Sequence, residues 1–210
     1  AYGSNALVSA NLENNTGYGS GYRFGYYDSD LDFVELGRTS SSVTKLTMVK
    51  AQNIWVSGTS YSTSDNGGEL IGCYHVQMPG SYNSYNAAYS KASDYSDGFV
   101  AWIDGEYQVR VGAYETKAEA ESRASSLGGT VVGTSSYAVN VTQTGKAKIL
   151  FQFDGGSSTA LGIMPDVTGA GETRTWFKGY RYPGGFRYER VNGGNLTVVN
   201  IVDVEDYLIG

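Results

Sequence analysis

The sequence predicts an α+β fold: a two-layer βαββαβ unit with an open antiparallel sheet, flanked on both sides by β-rich segments. Three observations carry this expectation. Two stretches of helical periodicity follow strands of similar wording at 74–77 and 107–110. An Asp104-Gly105 pair between alternating apolar runs marks a two-residue hairpin at the centre of the unit. Finally, 29 glycines against three prolines in 210 residues suit short strands joined by tight turns.

Residues 1–71 form the first β-rich segment, with strands expected at 6–12, 22–26, 33–36, 43–49 and 53–56. Between them lie turns such as Gly17-Tyr18-Gly19-Ser20-Gly21. Residues 57–68 are polar and read as an exposed connection.

Residues 72–142 hold the βαββαβ unit. The first helical pattern places Tyr85, Ala88, Tyr89, Ala92 and Tyr95 three and four residues apart. The second carries Ala120, Ala124 and Leu127. It opens on Thr116-Lys117-Ala118-Glu119, a capping box in which each end residue satisfies a free backbone N–H. It closes on Gly128-Gly129, where glycine can take the left-handed conformation that ends helices. Strands are expected at 99–103 and 107–111 around the hairpin, and at 130–133 and 137–141 after the second helix.

Residues 143–210 return to strands at 148–153, 175–181, 186–191 and 196–202, and the segment reads as the incomplete start of a further domain. Its last words, Asp203 to Gly210, look like the opening of a helix, so the chain reads as a fragment.

Composition narrows the function. Charged residues make up 17% and aromatics 13%, with 18 tyrosines, which is the balance of a folded chain rather than a disordered one. A net charge of −6 argues against nucleic acid, whose phosphates need a basic surface. A neutral, hydroxyl-rich polysaccharide is compatible. No apolar run approaches the ~20 residues of a membrane span. The single cysteine, Cys73, forms no disulfide within the chain and reads as a small apolar residue on a strand. One cysteine fits a cytosolic protein and an exported one equally.

Period-two alternation sorts the side chains of the duplicated strands. Tyr74, Val76, Tyr107, Val109 and Val111 share the face under the helices. His75, Gln77, Gln108 and Arg110 share the opposite face, which an open two-layer fold leaves as a flat polar platform. Trp102 and Tyr114 are expected nearby as aromatic planes for sugar rings. The same alternation also fits a merely solvated sheet face.

These residues carry a resemblance. Tyr74-His75-Val76-Gln77-Met78-Pro79-Gly80-Ser81-Tyr82, with Asn86-Ala87 at the helix start, resembles the first motif of SPOR domains. Tyr107-Gln108-Val109-Arg110-Val111-Gly112-Ala113-Tyr114 resembles the second. Pro79 is an extra residue, and Gln108 stands where a basic residue is common. The resemblance implies a βαββαβ domain that binds peptidoglycan glycan strands stripped of their peptide stems. It makes His75, Gln77, Gln108, Arg110, Trp102 and Tyr114 the expected glycan-binding residues.

A second resemblance covers the flanks. Gly21 to Asp28 followed by Phe33 to Gly37, and Tyr182 to Phe186 followed by Gly194 to Gly210, look like SpoIID/LytB-type cell-wall and sporulation proteins. In glycan-cleaving lytic transglycosylases of that family the catalytic glutamate follows the Tyr-Leu-x-Gly step, here Tyr207-Leu208-Ile209-Gly210, and no residue of this chain corresponds to it. The expectation is therefore a non-enzymatic, secreted cell-wall protein. Its partner is glycan, with no nucleic acid, no membrane span, no cofactor and no metal. Two alternatives stand beside it: the non-catalytic part of a lytic transglycosylase, and a surface or filament protein that self-associates through exposed strand edges.

Other chemistry is weaker. Glu205 and Asp206 are adjacent carboxylates, which point apart and suit a helix start better than shared acid–base work. His75 is the only histidine, too few for a zinc cluster or a triad. Asn14 and Asn140 fit the glycosylation pattern, which is common by chance. The Gly17–Gly21 cluster lacks the Lys-Ser/Thr ending of a phosphate loop.

Overall fold

The computed structural model describes residues 21–133, 135–166, 174–190 and 193–203, the backbone of 8–12, and Leu208. The elements run in the order β1 (Val8–Leu12), β2 (Tyr22–Tyr27), β3 (Phe33–Arg38), β4 (Lys45–Lys50), β5 (Ile54–Ser57), β6 (Ser60–Ser62), β7 (Glu69–Ile71) and β8 (Tyr74–Gln77). Then come α1 (Tyr85–Ala92), β9 (Gly98–Ile103), β10 (Glu106–Tyr114), α2 (Lys117–Leu127), β11 (Thr130–Val132), β12 (Val139–Gln143) and β13 (Ile149–Asp154). The chain continues through β14 (Leu161–Pro165), β15 (Arg174–Phe177), β16 (Tyr180–Pro183), β17 (Gly185–Arg190) and β18 (Leu196–Ile201).

The expected α+β class does not hold. The chain is mostly β, 51% strand against 11% helix. Strands and helices do alternate as expected from β8 to β11, but these strands are one end of a larger sheet. That sheet has ten strands in the order β11-β8-β10-β9-β13-β12-β4-β1-β15-β16. It is mixed rather than antiparallel, because β13 pairs in parallel with β9 through Phe151↔Val100 and Phe153↔Trp102. The strands of 72–142 thereby join strands from both flanking segments.

Nor is the sheet open. One face meets α1, α2 and a five-stranded sheet, order β18-β17-β14-β2-β3, over a single core. Val76, Val100, Val109, Val111, Phe151 and Phe153 meet Ala88, Ala92, Phe24, Leu161 and Tyr188 there, all buried. Phe24 stacks on Phe151 at 4.6 Å between ring centres, and Tyr26 on Trp102 at 5.5 Å. The other face meets a three-stranded sheet, order β6-β5-β7, in a second cluster joining Phe99, Ala101 and Ile149 to Ile54, Val56 and Ile71. Side chains buried on both faces exclude the open two-layer arrangement.

Local chemistry explains the elements that formed as expected. Thr116 Oγ1 accepts from Glu119 N while the Glu119 carboxylate accepts from Thr116 N, completing the capping box of α2. Gly128 ends that helix at φ +71°. Asp104 and Gly105 both take positive φ, as a tight hairpin between β9 and β10 requires. Other elements differ from expectation: β7 and β14 form where no strand is expected. Residues 57–68, read as a connection, contain β6. The stretch read as one strand at 175–181 turns back at Lys178-Gly179, both at positive φ, and becomes the β15–β16 hairpin.

Candidate functional site

The polar face expected to bind glycan is largely inside the protein. His75 is fully buried and Arg110 is 5% exposed, while Gln77 and Gln108 are half-buried. A hydrogen-bonded chain runs across four strands of this face. His75 Nδ1 lies 2.7 Å from the Gly112 carbonyl, which can only accept, so Nδ1 carries the proton. His75 Nε2 is then free to accept from Gln152 Nε2 at 3.1 Å. Gln152 donates its second proton to Asn140 Oδ1 at 2.8 Å, and its carbonyl accepts from Arg110 Nη1 at 2.5 Å. Arg110 Nη2 donates to Gln108 Oε1 at 3.0 Å.

This chain has one consistent polarity, with Gln152 at its hub. Burial drives the His75 pKa from 6.5 to about 4, further than its bond to Gly112 raises it, and the Arg110 charge adds to the fall. Burial also holds the Arg110 guanidinium down to about 10, with the Asp154 carboxylate pulling the other way. Both groups are thus fixed at neutral pH: the imidazole uncharged, the guanidinium charged. Among the described residues Arg110 Nε and Asn140 Nδ2 find no acceptor. The network specifies how the sheet assembles and offers a polymer no surface.

The remaining expected residues are dispersed. Trp102 points to the opposite face, stacked between Tyr26 and Phe153. Tyr114 follows a register shift in β10 and packs against the helix-side core. Asn140 is fully buried, so its glycosylation pattern is inert. Asn14, Gly17 to Ser20, Glu205 and Asp206 lie outside the described residues. Among the described residues no cluster of histidine, cysteine or carboxylates is placed to hold a metal.

An accessible site lies elsewhere, at one end of the five-stranded sheet. A cleft of about 350 Å³ is lined by Tyr27, Tyr137, Phe153, the 156–161 loop and the run Arg187 to Arg190. That volume is at the lower end of the ~300–1,000 Å³ typical of ligand pockets. Its Tyr27 wall is backed by a glycine pair. Gly25 and Gly162 are cross-strand partners on the outer face of the sheet. A Cβ on Gly162 would sit 3.1 Å from both the Tyr27 and Phe33 rings, so the missing side chain lets those rings lie over β14. The Tyr27 hydroxyl reaches past Gly185 to Met164 Sδ at 3.9 Å. Burial pushes its pKa up to about 12 despite the Arg23 and Arg187 charges, so it stays a neutral phenol.

The polar groups of the cleft are mixed. Arg187 Nε approaches Glu189 Oε1 at 2.6 Å, an ion pair that leaves Arg190 as the uncompensated charge of this wall. Arg190 is committed elsewhere: its guanidinium donates to the carbonyls of Ser135, Ala138, Gly193 and Gly194, tying β17 to two loops. Ser157 and Ser158 are exposed hydroxyls on the loop between β13 and β14, with Thr159 half-buried beside them. That loop starts at Asp154, whose carboxylate accepts from Gly156 N and the Ser135 hydroxyl. Two aromatic rings, exposed hydroxyls and a paired Arg187–Glu189 can stack against sugar C–H faces and exchange hydrogen bonds with sugar hydroxyls.

Sequence reasoning missed this site, although a signal existed. Alternation along 22–27 puts Arg23, Gly25 and Tyr27 on one face, with Tyr22, Phe24 and Tyr26 on the other. Only the pairing with β14 shows that the glycine row makes room for the rings. Comparison with known proteins adds no relative: no protein family, no curated protein and no solved structure matches this chain.

Proposed function

We propose that this protein is a non-catalytic glycan-binding component of the bacterial cell wall, and that the Tyr27–Tyr137 cleft holds a segment of peptidoglycan strand. The observation that carries the reading is the cleft itself, with aromatic rings, exposed hydroxyls and an ion pair around a volume of about 350 Å³. One further point supports it: the strings at 21–28 and 33–37, and at 182–186 and 194–210, resemble SpoIID/LytB-type cell-wall proteins, and strands β2, β3, β17 and β18, which they contribute to, share the five-stranded sheet beside the cleft.

A pull-down on purified peptidoglycan, with and without amidase removal of stem peptides, tests both parts. We expect retention on stripped material and its loss in a Tyr27→Ala, Tyr137→Ala double variant whose circular dichroism is unchanged. Equal retention of the double variant would move the site elsewhere. No retention of the wild type would favour the structural alternative. One observation speaks for that alternative: β16, with exposed Tyr180 and Arg181, ends the ten-stranded sheet without a further partner strand among the described residues. Light scattering of the purified chain would then show growing assemblies.

A further inference from the structure

A second cavity, of about 340 Å³, opens between the ten-stranded and three-stranded sheets and shares no residue with the glycan cleft. Phe99, Leu70, Ala113, Ala147 and Ile149 give it apolar walls, and Tyr114 stands at its side. Two carboxylates, Glu69 and Asp97, line it against one ammonium, Lys148. The Asp97 side chain has no hydrogen-bond donor or ion-pair partner among the described residues, and its Oδ1 is closed to water. Asp97 is half-buried, and closing one of its carboxylate oxygens off from water without a donor is costly. The backbone holds Asp97 in place: its carbonyl accepts from Gly112 N at 3.1 Å, inside the β10 bulge. The main chain is therefore fixed where the Asp97 side chain lines an apolar cavity.

We propose that this cavity binds a primary ammonium on a short aliphatic stem, with the stem against Phe99 and Ile149 and the charge on Asp97 and Glu69. The chemistry is complementary on both counts. The walls accept methylene groups, and the two carboxylates outnumber the single Lys148. The amine comes either from a lysine-type side chain of a peptide or from a free diamine. Lys148 is exposed at the same mouth and competes for the same carboxylates.

The test is a titration of the ¹⁵N-labelled full chain with n-butylammonium, and with n-butanol as the neutral match in shape. Saturable shifts of the Asp97, Gly112 and Ala113 amides with the ammonium, and none with butanol, are expected. Asp97→Asn should weaken binding about tenfold or more, the scale of one lost charge-assisted hydrogen bond. Should that variant fail to fold, Glu69→Gln at an exposed position should weaken binding in the same direction. Lys148→Gln should tighten binding by removing the competitor. Equal shifts from butanol, undiminished binding by Asp97→Asn, or weaker binding by Lys148→Gln would each overturn the proposal. Parallel titrations with Nα-acetyl-lysine amide and with 1,5-diaminopentane decide the source: tighter binding of the first points to a peptide, of the second to a free diamine. Because the cleft residues are untouched in all variants, peptidoglycan retention remains an independent readout.

Discussion

Two sheet faces of this protein look alike in sequence and behave oppositely in space. Both alternate small or apolar residues with polar or aromatic ones. The face with His75, Gln108 and Arg110 carries the polar residues that suggest a binding platform, yet the second cluster brings a three-stranded sheet onto it and leaves His75 and Arg110 buried. The face with Arg23, Tyr27 and Phe33 carries no sign of a site in its sequence, yet it holds half-buried aromatic rings above a glycine pair. Alternation decides which residues share a face. What covers that face is decided by strands distant in sequence.

The contrast can be broken most directly at Gln152. Gln152→Leu leaves the His75 Nε2 acceptor, an Arg110 N–H and the Asn140 carbonyl without partners at once. We expect about 3–5 kcal/mol of lost stability in urea unfolding. A loss under 1 kcal/mol would mean the network contributes little.

The second test uses pH. With His75 the only histidine, its ring signal in a proton spectrum is unambiguous and should titrate near pH 4. The folded pKa lies below the unfolded 6.5, so the unfolded chain takes up the proton first. The His75 contribution is whole above pH 6.5 and drains away as pH falls through 4, amounting to about 3 kcal/mol at most. In His75→Gln this part of the pH dependence should vanish. A ring titrating near 6.5 would show that the face is wet after all.

On the other face the effects are smaller and fall on binding. Gly162→Ala pushes a methyl against the Tyr27 and Phe33 rings, with an expected cost of about 1 kcal/mol and weaker glycan retention as the rings tilt. Tyr27→Phe removes only a hydroxyl whose one partner is a distant thioether, so stability should stay within about 0.5 kcal/mol and retention should persist. If retention disappears there, recognition depends on the phenol rather than the ring.

Much of the local structure was legible in the chain. The capping box at Thr116–Glu119, the stop at Gly128 and the Asp104-Gly105 turn each announce themselves through backbone groups that a neighbouring side chain satisfies. What was not legible is long-range. The parallel pairing of β13 with β9 joins residues about fifty positions apart, and no periodicity encodes it. Strand β14, with Gly162 and Pro165 in five residues, has the composition of a loop and becomes a strand because β2 and β17 flank it. The polar alternation of β8 and β10 was read correctly as a face and wrongly as an outer surface. Its hub, Gln152, sits on β13 beyond the reach of that pattern.

The pairing of β2 with β14 also has a cost in time. Arg23 and Met164 face each other across a gap of more than a hundred residues, and so do Phe24 and Ile163. While the ribosome is still making the middle of the chain, the aromatic inner face of the β2–β3 hairpin has nothing to close against. Contacts that distant in sequence make folding slow, in the range of milliseconds to seconds rather than microseconds, because loop closure precedes any reward. During that interval Phe24 and Tyr26 are exposed, and the nascent chain is at its stickiest before its last third emerges. Expression yield should therefore respond more to synthesis rate and holding chaperones than to the stability of the finished fold.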